Sequence, residues 1–142
     1  MSLGGRHALV TGGGRGIGRA IAGALTSAGA TVTVTGRTEA DLLDAVAIGD
    51  AQACVVIDAT EEAAVLQGFR IAAAAHGPID ILVANAGAVE SASFQKADSA
   101  MFRRMLEVNL MGVVHAAHAA LPDMIARKQG RIIAIASTAG LK

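Results

Sequence analysis

Thr11-Gly12-Gly13-Gly14-Arg15-Gly16-Ile17-Gly18 is the stretch on which the fold turns. It follows an apolar run, His7–Thr11, and leads into residues 17–28, where Ile17, Ile21 and Leu25 recur at helical spacing. A strand, a glycine turn and a helix in that order let backbone N–H groups approach an anion at the positive end of the helix. A pyrophosphate suits such a turn; a tight turn with no ligand is the plainer alternative. Two rival spacings fail. A P-loop through Gly13 and Gly18 needs Lys and then Ser or Thr, and Arg19 and Ala20 stand there instead. Gly-x-Gly-x-x-Gly through Gly14 and Gly16 needs a glycine where Arg19 stands. The spacing present is Gly-x-x-x-Gly-x-Gly.

Outward from the turn, apolar runs alternate with helical stretches. Gly29 is placed to end the first helix, and residues 30–35 (ATVTVT) read as a second strand. A short helix starts at Thr38, which with Asp41 has the spacing of a capping box. Residues 53–57 form a third strand, and Glu61 and Glu62 open a helix over 60–75. Residues 79–84 form a fourth strand, 98–128 a long helix that Pro122 is predicted to kink or tighten, and 131–136 a fifth strand. Strands apolar on both sides, joined through helices, imply right-handed crossovers and a buried parallel sheet. The reading is a doubly wound α/β domain, Rossmann-like, with about five strands.

Composition narrows the function. The 142 residues fit one domain, 53% are hydrophobic and 17% charged, as in an ordinary globular chain. Lys plus Arg equals Asp plus Glu at 12 each, which argues against nucleic-acid binding. Tyr is absent, so no tyrosine of this chain acts as an acid or base. Cys54 is the single cysteine, which excludes an internal disulfide and a Cys-rich zinc site. No signal-peptide h-region or span-length apolar run is visible, so no membrane partner is expected and the expected location is cytoplasmic.

With these flanks the turn resembles the cofactor loop of the short-chain dehydrogenase/reductase family. Asn85-Ala86-Gly87 follows the fourth strand where the family has Asn-Asn-Ala-Gly, with Ala84 in place of the first Asn. Asn109, in Val108-Asn109-Leu110, lies where the family carries an active-site asparagine, and Ser137, in Ile135-Ala136-Ser137, where it carries the catalytic serine. The resemblance implies strand order 3-2-1-4-5, a nicotinamide cofactor, hydride transfer to or from a carbonyl or alcohol, and a homo-oligomer through the helix at 98–128. The sequence is similar to 3-oxoacyl reductases, but these motifs name no substrate. The family's Tyr-x-x-x-Lys is missing, so the chain resembles the N-terminal portion of such an enzyme. By itself it is expected to bind cofactor weakly if at all, to be inactive and to expose strand five as an aggregation-prone edge. A non-catalytic dinucleotide-binding or subunit-interaction module is the reading from another class.

The residues carry these implications one by one. Gly12, Gly16 and Gly18, with the Ile17 amide, form the expected pyrophosphate cradle. Gly12→Val is accordingly expected to abolish cofactor binding while leaving helix content unchanged. An NAD-selective site places an acid about 20 residues past the glycines. Here the second strand ends Thr35-Gly36-Arg37, so Arg37 and Arg15 are expected to grip a 2′-phosphate: NADP(H) is preferred, with NAD(H) the alternative. Asp58 has two compatible roles, beside the adenine by resemblance and at a helix entry by position. Asn85 is expected to tie neighbouring strands, and Gly87 to admit the adenosine side. Asn109 is a poor helix-interior residue; it reads as a local kink or, by resemblance, as the holder of a proton-relay water. Ser137 reads as a strand-end hydroxyl or, by resemblance, as the group that polarises the substrate oxygen. His115 and His118 lack partners for a metal site and read as surface or subunit-contact residues. Met101, Phe102, Met105 and Leu106 read as core or interface, and Cys54 as a small buried hydrophobe.

Overall fold

The computed structural model describes residues 2–138. A parallel sheet of five strands runs in the order β3-β2-β1-β4-β5. The strands are β1 His7–Thr11, β2 Thr31–Gly36, β3 Ala53–Val56, β4 Ile81–Ala84 and β5 Arg131–Ala134. The helices between them are α1 Gly16–Ser27, α2 Glu39–Ala47, α3 Glu62–His76, α4 Ser99–Leu106 and α5 Gly112–Arg127. The expected order and class therefore hold.

Alternation along β1 divides the core in two. Ala8 and Val10 face a cluster with Val32, Val34, Ala22 and Leu42, on the side of α1 and α2. Leu9, pointing the other way, joins Phe69, Leu82, Ala116 and Met124 on the side of α3 and α5. The order reverses between β1 and β4, where the chain leaves one flank of the sheet for the other. At such a switch point the turns after the strands splay apart and leave a crevice.

Several local expectations change. α1 ends in a Schellman motif, with the Gly29 N–H donating to Thr26 O and the Ala30 N–H to Leu25 O, as the glycine predicted. Thr38 does precede α2, but its side chain makes no capping bond, so the capping box is not formed. The expected helix over 98–128 is interrupted at Asn109, the residue read as a local kink. Glu107–Met111 is a turn of π-helix, while α5 continues through Pro122 to Arg127. Ile17 is not on the core face: it is 68% exposed, and Gly18 and Ala22 are the residues of α1 buried against the sheet. Nor are Phe102 and Leu106 core residues, since both are exposed, and Cys54 is only partly buried. No helix among the described residues is long and apolar enough to cross a membrane.

Candidate functional site

A cleft of about 320 Å³ opens at the switch point, at the C-terminal ends of β1, β2, β3 and β4. Its walls bring together Gly12, Arg15, Gly16, Ile17 and Gly18 from the first turn and Arg37 from the second. Asp58 comes from the third turn, and Asn85, Ala86 and Gly87 from the fourth. Asn109 and Ser137 are not among the lining residues. Asn109 stands just behind one wall, and Ser137, beyond β5, is exposed.

The glycines of the first turn do different things. Gly18 lies against the Gly12 carbonyl and the Asn85 side chain, leaving no room for a Cβ. A Cβ on Gly12 would come 2.9 Å from Ala86 Cα, and Gly12 has φ +63°. The expectation for Gly12→Val is thereby corrected: the new side chain would strike the protein's own backbone before any ligand, so the fold suffers first. Gly16 is the opposite case. It has φ +57°, and a Cβ there would meet nothing within 4 Å. The open side of the turn is therefore at Gly16, at the start of α1.

That end of α1 fits an anion. Its first N–H groups have no intrahelical acceptors by geometry. Arg15 makes no side-chain cap, and no acid lies in the first turn to neutralise the dipole. A pyrophosphate placed there would meet backbone donors and a guanidinium. The residues present thus fit a dinucleotide.

The fourth turn is tied to the first by a small network. The Thr11 hydroxyl accepts from the N–H groups of Asn85 and Ala86, both at 3.0 Å. The Asn85 amide in return donates to the carbonyls of Thr11 (3.2 Å) and Gly12 (3.1 Å). Asn85 is thus a strand tie. Thr11, a buried polar residue at a strand end, went unnoticed in the sequence; its place as first letter of the Thr-Gly motif was the available signal. Asn109 secures the far side of the same turn: its Oδ1 accepts from Ala88 N–H (3.1 Å) and its Nδ2 donates to Ala88 O (2.8 Å). The π turn leaves Asn109 facing this backbone, where Gly87 also packs closely against it.

Asp58 closes the third turn. Its Oδ1 accepts from Thr60 N–H (2.9 Å) and from the Thr60 hydroxyl (2.8 Å). Those bonds hold the carboxyl below the usual range, the charge of Arg37 acts in the same direction, and burial opposes them. Asp58 is both a turn residue and a cleft residue. Asp41, read in the sequence only as the partner of Thr38 in a capping box, also lines the cleft. His115 is not a surface residue: it is 7% exposed, and its Nδ1 lies 3.0 Å from the carbonyl of Ala59 in the cleft wall. Among the described residues no group of His, Cys, Asp and Glu is placed to hold a metal.

Comparison with known proteins places this geometry. The chain is 34% identical over 149 aligned positions to a 3-dehydrosphinganine reductase of Danio rerio, with 99% of this chain and 45% of that protein covered. A gluconate 5-dehydrogenase of Burkholderia cenocepacia J2315, solved with NADP and tartrate, superposes with a TM-score of 0.89 at 37% identity, covering 96% of this chain and 55% of that one. The crystal structure of gox2181 superposes with a TM-score of 0.94 at 33% identity, covering 99% and 57%. The chain spans about half the length of the curated relatives it matches. Over residues 6–142 it matches the family model described as short chain dehydrogenase, and the protein belongs to that family of oxidoreductases.

Proposed function

We propose that the protein serves an NADP(H)-dependent reduction of a ketone, 3-oxoacyl or similar, or the reverse oxidation of an alcohol. One observation carries the cofactor choice: Arg15 and Arg37 line the same cleft as the open Gly16 turn, and Gly36 stands where an NAD-selective acid is expected. The solved relative with NADP supports the same choice. When bound, the nicotinamide supplies or accepts the hydride. The amides of Gly16 and Ile17 hold the pyrophosphate, and Arg15 and Arg37 the 2′-phosphate, through charge-assisted bonds. Asn85 and Asn109 keep the fourth turn open beside it. Ser137 donates to the substrate oxygen, and Asn109 holds the water of a proton relay. The proton donor of this reading is not a tyrosine of these 142 residues, which contain none. A homo-oligomer through the helices at 98–128, in the cytoplasm, belongs to the same reading.

Calorimetric titration of NADPH and NADH tests the assignment. NADPH is expected to bind more tightly, and Arg37→Ala to weaken it by about tenfold or more. Equal affinity for the two, or an unaffected Arg37→Ala variant, overturns it. The chain alone is expected to reduce no member of a ketone panel with NADPH; turnover at an ordinary enzymatic rate would point to another acid. The second reading, a non-catalytic dinucleotide-binding or subunit-interaction module, is favoured by the absence of Tyr, and binding without turnover even in the intact source protein would support it.

A further inference from the structure

We propose that His115 is a positioning residue for the dinucleotide cleft, an inference that rests on the reading just given. The cleft has a wall on the β3 side, built from Ile57, Asp58, Ala59 and Thr60, and another on the β4 side that ends at Gly87. These walls come from turns on opposite sides of β1, with β2 and β1 lying between β3 and β4, so no sheet hydrogen bond joins them directly. The helical unit running from the π turn into α5 touches both. At one point Asn109 holds Ala88 by both amide atoms. At the other, six residues on, His115 Nδ1 reaches the Ala59 carbonyl at 3.0 Å.

The second contact is built for position. A carbonyl only accepts, so the imidazole carries its proton on Nδ1 and donates it. The ring is buried, and a turn of helix earlier Gly112 packs its backbone against the same residue, with room for a Cβ only 3.4 Å from Ala59 Cβ. Asp58 and Thr60, on either side of Ala59, are closed on each other and give the turn local shape without fixing it to the body of the protein. Ile57 ties the start of the wall to β2 through its N–H on the Gly36 carbonyl (2.9 Å), and His115 adds the attachment at Ala59, two residues further out. The helix thus acts as a strut: Asn109 sets one wall, His115 the other, and the gap admits a dinucleotide of fixed width. An apolar residue in place of His115 leaves the Ala59 carbonyl unpaired, and the β3 wall is free to shift.

The test compares the intact protein with its His115→Leu and His115→Asn variants, using NADPH as the probe at concentrations up to millimolar. Urea unfolding establishes that each variant is folded. His115→Leu is expected to bind NADPH about tenfold more weakly, and His115→Asn, whose amide donates in the place of Nδ1, to recover most of that loss. A folded leucine variant that binds like the parent overturns the proposal, as does a folded asparagine variant no better than leucine. A measurement on the unmodified intact protein guards against variants that do not fold. Nitrogen NMR of the His115 ring is expected to find the proton on Nδ1, and NADPH to shift the amide signals of Ala59 and Thr60. A proton on Nε2, or NADPH shifts that spare this turn, overturns the proposal. If the unmodified intact protein binds no NADPH while the ring proton sits on Nδ1, the dinucleotide reading has failed and the positioning role falls with it. If it binds NADPH and the variants do not differ, the failure belongs to His115 alone.

Discussion

Strands β1 and β5 are written in nearly the same alphabet, and the fold treats them in opposite ways. His7–Thr11 is buried at every position, with hydrogen-bonded neighbours on both edges and α1 and α3 among the helices over its faces. Arg131–Ala134 is exposed at every position, and among the described residues it pairs with β4 alone. Ile132 and Ile133 keep 37% and 41% of their surface in water, whereas Leu9 keeps none. Apolar composition therefore marks a strand that belongs in a parallel sheet, while burial depends on how many neighbours that strand has.

The entries to the two strands differ in the same way. His7 is 2% exposed, with Nδ1 on the Gly77 carbonyl (2.8 Å) and Nε2 on the Thr33 hydroxyl (2.8 Å). Its backbone N–H donates to Asp80 Oδ2 at 3.0 Å. The Asp80 carboxylate is also bonded by Arg127 (2.9 Å) and Gln129 (3.0 Å), with Arg6 at 3.8 Å. Burial pushes the Asp80 carboxyl up, and these donors outweigh it and hold it below its ordinary range. Arg131, the corresponding residue of β5, is exposed. The end of the sheet remote from the cleft is thus held by a buried polar network centred on Asp80, and each of its members is satisfied.

The comparison can be broken most severely at the centre of β1. Leu9→Ala is expected to cost about 4 kcal/mol in urea unfolding, through lost burial and the cavity left behind, whereas Ile133→Ala in β5 should cost under about 1 kcal/mol. Similar losses at the two sites would mean that β5 is covered in solution.

The turn after β1 gives the next effect. Gly12→Val is expected to cost about 3 kcal/mol, because it forces a branched side chain into a left-handed backbone and against Ala86. Gly16→Ala carries the backbone cost alone, about 1 kcal/mol. It faces open space, so it should fold and lose NADPH affinity. Denaturation and calorimetry on the pair separate the glycine required by packing from the one required by a ligand.

Acid should act on β1 through its entry. Burial pushes the His7 imidazole below its ordinary value of 6.5, with His76 adding to it, while the Gly77 carbonyl and Asp80 pull the other way. Between the lowered folded value and 6.5 the unfolded chain binds more protons, so this contribution to stability is complete above pH 6.5 and is lost as the pH falls below it. Unfolding free energies measured downward from neutral pH should decline, and His7→Gln should flatten the decline. A parallel decline in the variant would assign the effect to other groups.

The smallest change belongs to the open strand. Ile133→Lys should alter stability by less than about 0.5 kcal/mol and reduce light scattering at high protein concentration, since a charge blunts an unpaired edge. A large destabilisation would show that Ile133 is packed against something.

Much of this was legible from the chain. The glycine turn and the end of α1 at Gly29 follow from local pattern, because turn chemistry and helical period act within a few residues, whereas the strand order came from the family resemblance. The local kink read at Asn109 is where the long helix breaks, but its form as a π turn was not legible. A proline is a visible local obstacle, whereas the π turn at Asn109 is matched to a partner, Ala88, on another element. Ile17 and His115 were misjudged for a related reason. Ile17 shares a helical face with Ile21 yet sits at the mouth of a cleft, and His115 finds its acceptor 56 positions away in sequence.

What the sequence determined by itself is the alternation of strands and helices, the doubly wound class and the residues able to receive an anion. Backbone propensity, apolar period and glycine spacing are short-range properties, written wherever they act. What only the tertiary structure decided is which glycine of the turn has an open face and which histidine reaches the Ala59 carbonyl. Those outcomes depend on contacts between segments far apart in the chain, and close packing assigns them only once every neighbour is in place.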